Sequence, residues 1–302
     1  MRIVAALGGN ALLKRGQRPD SDIQERNVEI AIAALAPLAR QHELVITHGN
    51  GPQVGVLALE SASDTSLSHP FPLDALGAET QGLIGYWLVQ ELQNHLPDRL
   101  VTAIVTQTVV DRADPAFDHP TKFVGPVYDE AELRVIADQR GWEIAPDGDR
   151  WRRVVASPKP VRIVETPVIR LLLDAGSVVV CAGGGGIPVS EAPGGELSGV
   201  EAVIDKDLTT ALLAEQLKAD AFLVLTDVDG VFLDFGTPTA QRISSTTAAD
   251  LRRVQFPAGS MGPKIDAVCR FVERTGSFAA IGSLADAATL LTGERGTRVV
   301  PG

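Results

Sequence analysis

Short apolar runs, each closed by glycine or proline and followed by residues at helical spacing, set the rhythm of this chain. Arg2–Leu7 reads as a buried strand ending in Gly8-Gly9-Asn10. The spacing predicts a helix from about Asp22 to Ala36, which Ser21 can cap and Pro37 kinks or ends. Leu44–Thr47 predicts a second strand, ending in His48-Gly49-Asn50-Gly51, and Pro52 suits the first turn of another helix. A long helix is predicted over Asp74–His95, closed by Pro97, and then a strand over Leu100–Thr106.

From about Asp111 to Pro160 prolines, aspartates and glycines become dense and apolar periodicity weakens. This stretch reads as an inserted subdomain with one helix near Asp129–Arg140. The rhythm then resumes. A strand at Val178–Cys181 ends in Gly183–Gly186, a helix covers Asp207–Lys218, and a strand at Phe222–Thr226 ends in Asp227-Val228-Asp229-Gly230. A helix is predicted over Pro263–Arg274 with Ser260 near its start, then a strand at Phe278–Ile281 and a short helix near Leu284–Leu291. Strands alternating with helices predict an α/β fold. The expected form is an open, mostly parallel sheet between helical layers, one domain over 1–302 with an inserted, protruding lid over about 111–160.

Composition narrows the function. Of 302 residues 45% are hydrophobic and 5% aromatic, which implies a sizeable core of aliphatic side chains. The absence of an apolar run of about 18 residues leads to the expectation of no membrane span. Met1-Arg2-Ile3-Val4 enters an apolar run too short for a signal peptide, and Cys181 and Cys269 form no disulfide framework, so a cytoplasmic location is expected. A net charge of −11 argues against nucleic acid and anionic membranes as partners. If the ligand is a phosphate, lysines in the pocket must prevail over that field locally. An ammonium about 4 Å from a phosphate oxygen gives about 4 kcal/mol at an effective dielectric near 20. Carboxylates beyond about 8–10 Å are mostly screened.

Three glycine-rich loops, at Gly8-Gly9, Gly49–Gly51 and Gly183–Gly186, each follow a predicted strand. In an open parallel sheet such loops gather at the carboxyl edge, where ligands bind. Glycine lets backbone N–H groups approach an anion, so the loops suggest a phosphate cradle. The chain has no GxxxxGK[ST], no GxGxxG after a strand, no HExxH and no GxSxG, and its five histidines show no metal-ligand spacing.

At these loops the sequence resembles carbamate kinases, within the amino acid kinase superfamily. The segments that carry the resemblance run in order along nearly the whole chain. They are Ala6–Asn10, His48–Gln53, Thr80-Gln81-Gly82 with Ile84–Trp87, Pro120-Thr121-Lys122, Trp151–Val155, Ser157–Pro160, Gly183–Gly186, Gly199–Asp207 and Gly259–Lys264. Most of that superfamily carries a lysine just before the first Leu-Gly-Gly. Here, as in carbamate kinases, the position is Ala6, and the resemblance implies that Lys122 of the insertion replaces it. The sequence departs from the family at Gly230, often bulkier, and at Phe123, where proline is common.

The resemblance implies phosphoryl transfer between carbamoyl phosphate and ADP, giving ATP in arginine catabolism, by a cytoplasmic homodimer. It implies Mg²⁺ held mainly through nucleotide phosphates and ATP/ADP as substrate, with no metal-binding residues of the chain's own. Such transfer needs alignment and charge neutralisation more than covalent chemistry. Gly8, Gly9, Asn10, Gly49, Asn50 and Gly51, with Gly184 and Gly185, are assigned to substrate and phosphate. Lys206 and Lys264 are assigned to nucleotide phosphates and the migrating group, Lys122 to closing over the substrate, and Asp207 to orienting the lysines. Asp227, Val231 and Met261 are expected beside adenosine. Read without the resemblance, these lysines are solvated surface groups and Asp205 and Asp207 are helix caps. Tyr86 and Trp87 read as core or dimer contacts, and His48 and Lys159 as structural. Three rivals stand beside the kinase reading: another superfamily kinase acting on a small carboxylate, a non-catalytic ligand-binding regulator, and a dinucleotide dehydrogenase, which the missing GxGxxG disfavours.

Overall fold

Alternate residues of the first strand, Arg2–Leu7, feed two different cores. Ile3, Ala5 and Leu7 pack with the helices Ser21–Gln41 and Leu73–His95 on one face of the sheet. Val4 and Ala6 pack on the other face with Thr166–Asp174, Lys206–Gln216 and Met261–Thr275. A strand buried on both faces has no polar side to show, which is why it reads as a continuous apolar run. The computed structural model describes residues 1–14, 16–51, 53–256 and 261–302, and of Asn10 the backbone alone. The expectations for Pro52, Gly259, Ser260 and the Asn10 side chain lie outside the described residues.

Eight strands form the main sheet, in the spatial order Ser245–Thr247, Thr297–Val300, Phe278–Ser283, Ala221–Thr226, Arg2–Leu7, Glu43–His48, Val178–Val180 and Val101–Ala103. Neighbours are parallel except Thr297–Val300 against Phe278–Ser283. The expected open, mostly parallel sheet between helical layers is the observed fold.

Several local outcomes differ from expectation. The first helix continues through Pro37 to Gln41. Proline removes one hydrogen bond, but Leu35, Ala36, Leu38 and Ala39 around it are all buried and hold the turn against the sheet. Asp20, not Ser21, occupies the N-cap position. The strand expected over Leu100–Thr106 is only Val101–Ala103. Buried Thr106 turns the chain there: its N–H donates to Gln81 Oε1 at 2.8 Å, and its hydroxyl accepts from the Ala182 N–H at 3.0 Å. The chain then enters a second sheet, ordered Leu197–Gly199, Ile187–Glu191, Gln107–Val110 and Pro160–Ile163.

Between Gln107–Val110 and Pro160–Ile163 the chain builds an antiparallel sheet of Lys122–Tyr128, Arg150–Val155 and Ile144–Asp147, with the helix Glu130–Arg140. Val124 and Val155 of this sheet share a small core with Val54, Leu73 and Leu76. Thus residues 111–160 lean on the helix Gln53–Ser63 rather than standing free. Among the described residues no helix is long and apolar enough to cross a membrane.

Candidate active site

The three glycine loops leave the ends of three adjacent parallel strands, Arg2–Leu7, Glu43–His48 and Val178–Val180, and so emerge on one edge of the sheet. Gly8 is pinned by its N–H to the Leu225 carbonyl at 3.0 Å. Gly9 opens a short turn over Gly9–Ala11 and faces open space. A Cβ on Gly49 would lie 3.7 Å from both Gly9 Cα and Lys206 Cδ, so two loops and one lysine meet at this point.

His48 is wholly buried beneath them. Burial drives its pKa down to about 4; the Gly49 hydrogen bond opposes this and nearby Lys206 adds to it. The neutral ring donates its Nδ1–H to the Gly49 carbonyl at 2.8 Å, which fixes that loop from below. A side chain on Gly183 would strike this ring at 2.4 Å.

The third loop is built from conformations that side chains disfavour. Ala182, Gly184, Gly185 and Gly186 have φ of 50°, 65°, 91° and 85°. Cβ atoms on the last three would lie 1.7 Å from Asn50 Oδ1, 2.5 Å from the Ile204 carbonyl and 2.1 Å from Thr108 Oγ1. Glycine is therefore required here by space as well as by φ. Asn50 Oδ1 accepts from the Thr80 hydroxyl at 3.1 Å, which ties the second loop to the long helix.

The lysines converge on two neighbouring carboxylates. Asp205 caps the helix Lys206–Gln216, its Oδ1 accepting from the N–H of Asp207 at 2.9 Å and of Leu208 at 3.3 Å. Its Oδ2 accepts from Lys122 Nζ at 2.9 Å. Asp207 is buried, its side chain 4% exposed; one oxygen is paired with Lys206 and the other accepts from Lys264 Nζ at 3.0 Å. Burial alone would raise the Asp207 pKa, but the two ammonium groups outweigh it and hold the carboxyl at about 2. Burial, with Lys264 nearby, lowers the Lys206 pKa, while Asp207 and Asp205 oppose the shift. The side chains of Lys206 and Lys264 are 13% and 18% exposed, so both are held rather than solvated.

A cleft of about 560 Å³ lies between this edge and the insertion, lined by Gly9, Gly49, Asn50, Gly51, Gly184 and Lys206 below and Lys122, Phe123 and Arg152 above. Its size suits a small-molecule ligand. Arg152 had no role assigned from sequence, although its motif was noted. Its Nε donates to the Gly125 carbonyl at 2.7 Å, and Nη1 pairs with Asp147 Oδ2 at 3.2 Å. Gly185 belongs to the frame: its carbonyl accepts from the Thr209 hydroxyl at 2.9 Å.

The residues expected beside adenosine do not all fit that role. Asp227 is exposed at the end of Ala221–Thr226, where it accepts from the Thr226 hydroxyl at 3.1 Å. Met261 is partly buried against the core at the start of its helix. Val231 is fully buried within that core and presents no side-chain surface to a ligand.

The model of the amino acid kinase family matches residues 1–282. A carbamate kinase of Rhizobium meliloti is 54% identical over 300 residues, covering 98% of this chain and 92% of its own. One from Haemophilus influenzae is 50% identical, covering 99% and 96%. The solved carbamate kinase of Giardia lamblia bound to AMP-PNP superposes with a TM-score of 0.92 at 38% identity, covering 100% of this chain and 98% of that one. Similarity of this extent runs through every loop of the cleft, and the chain belongs to the amino acid kinase family, among its carbamate kinases.

Proposed function

We propose that this cleft moves a phosphoryl group between carbamoyl phosphate and ADP, giving carbamate and ATP, and that the cell uses it to make ATP during arginine catabolism. The observation that carries the reading is the pair of lysines on one buried carboxylate where the glycine loops converge. In the forward direction a β-phosphate oxygen of ADP bonds to phosphorus as the bond from phosphorus to the carbamoyl oxygen breaks. The attacking phosphate oxygen is already ionised and carbamate departs as an anion, so neither a general base nor a general acid is required. The protein's work is to align the two ends and balance charge on the equatorial oxygens.

The parts suit that work. Gly9 and Gly49–Gly51 offer backbone N–H groups at the cleft floor, and Lys206 lies beside Gly49. Lys206 and Lys264 bring two positive charges to the one negative charge of Asp207, leaving a local excess for a phosphoryl group despite the overall −11. Asp207 holds the lysines and, kept ionised, takes no proton in the reaction. Ala6 is fully buried in the core that also holds Ala182, and the further amine comes down from the insertion as Lys122. In this reading residues 111–160 act as a lid, admitting substrate and then excluding water. Mg²⁺, when bound with the nucleotide, would screen charge on its phosphates. Both carboxylates at the lysine cluster are already engaged, which fits a metal held by phosphate oxygens and water.

The working form in this proposal is a cytoplasmic homodimer. The helix Leu73–His95 exposes Leu83 and Tyr86, while Trp87 beside them is buried. Val101–Ala103 ends the sheet next to exposed Leu100 and Val105. An apolar border of this kind supports self-association. A coupled assay for ATP from carbamoyl phosphate and ADP tests the activity. ATP formation is expected with carbamoyl phosphate; no turnover of carbamoyl phosphate would reject the reading.

A further inference from the structure

We infer that Asp205 is a positioning residue that latches the insertion over the cleft and sets the place of Lys122; this rests on the reading of Lys122 as a participant. The two oxygens of its carboxylate serve two different parts of the molecule. Oδ1 accepts from the N–H groups of Asp207 and Leu208 at the start of the helix that carries Lys206. Oδ2 accepts from Lys122 Nζ, 83 residues away on the insertion. The first pair of bonds fixes the carboxylate to the rigid body, so the second fixes the insertion's amine relative to Lys206.

The base of the latch is firm. On one side the Ile204 carbonyl lies so close to Gly185 that any Cβ there would come within 2.5 Å of it. On the other, Asp207 is held by Lys206 and Lys264. The moving side is less constrained: the Lys122 side chain is 35% exposed against 16% for Asp205. An ion pair so placed adds little to overall stability. Its effect is geometric, since one carboxylate fixes the lid amine relative to the start of the helix that carries Lys206, and both lysines line one cleft. The incoming phosphoryl group then meets Lys122 already in place and shares it with Asp205. This role differs from that of Asp207, which touches both body lysines and not the lid.

The experiment is a double-mutant cycle with kinetics for carbamoyl phosphate and ADP. Asparagine keeps an oxygen for the helix N–H groups, so Asp205→Asn retains the cap while losing the charge. The variant is expected to melt near the wild-type temperature, to lose about 10-fold in kcat, as a misplaced amine would cause, and to keep the KM for ADP. In a Lys122→Ala background the same change is expected to alter kcat by less than about twofold, because its target is gone. A wild-type kcat for Asp205→Asn beside an impaired Lys122→Ala would overturn the latch and leave the role of Lys122 standing. An equal loss in both backgrounds would overturn it too, placing the effect at the helix cap. Wild-type kinetics for Lys122→Ala alone would sink the reading of Lys122 and the latch with it.

Discussion

Gly55 of the body and Gly125 of the insertion meet backbone to backbone: a Cβ on Gly55 would lie 2.7 Å from Gly125 Cα. Neither chain has a flexible side chain at this point that can bend away. Gly125 is further committed by its φ of 73°. Gly55→Ala is therefore expected to push the insertion off the helix Gln53–Ser63 and to lower turnover. Residues 111–160 should be cut faster by protease, with little change in the melting of the body. Wild-type proteolysis and turnover would show that the contact plays no part in closure.

Lys206→Ala and Lys264→Ala are each expected to lower kcat by about 100- to 1000-fold, the usual loss for one preorganised charge stabiliser. Either change also leaves Asp207 buried with one partner fewer, which should cost about 1–3 kcal/mol of stability. Steady-state kinetics and urea unfolding on the same preparations read both effects. Near-normal turnover in either variant would remove that lysine from the chemistry.

His48 gives the fold a dependence on mild acid. In the unfolded chain its ring takes up a proton near pH 6.5, and in the fold only near 4. Between those values the unfolded state binds the extra proton. Its contribution is thus complete above about pH 6.5 and falls away as the pH drops towards 4, by about 3 kcal/mol. Asp207, held at about 2, loses its contribution only below about pH 4, so the two windows are separate. Replacing His48 by Asn should flatten the slope of unfolding free energy between pH 6.5 and 4. An unchanged slope would mean that His48 titrates normally in the fold.

Tyr86 is 56% exposed on a helix whose neighbouring Trp87 is buried. If that face joins two copies, Tyr86→Glu should convert the species seen in sedimentation from dimer to monomer at micromolar concentration. A wild-type chain that sediments as a monomer would refute the homodimer outright.

What could be read from sequence divides along physical lines. Arg2–Leu7, Glu43–His48 and Ala221–Thr226 were legible because strands buried on both faces must be apolar throughout. The loops after the first two were legible because glycines follow each apolar run directly, and Gly183–Gly186 because only glycine fits there. The helix Thr166–Asp174 was missed: only Thr166, Ile169 and Leu173 are buried, and exposed Val168 and Leu171 blur its period. The second sheet was missed because its strands are three to five residues long and too short to show alternation. At the candidate site, Lys206 and Lys264 were named from the resemblance, but their shared hold on Asp207 depends on a contact 57 residues apart. Asp205 looked like a cap, and it is one; its second oxygen has a partner that local sequence does not reveal.

The run Gly183–Gly186 has a consequence for how this protein can change. Every single-base change of a glycine codon that encodes a different amino acid installs a Cβ. At all four positions that atom would collide, with His48, Asn50, the Ile204 carbonyl or Thr108 respectively. The segment is closed to stepwise drift, so tuning of substrate preference must come from other residues that line the cleft. A library intended to shift specificity should hold 183–186 constant and vary the insertion's side of the cleft, at Phe123 and Arg152.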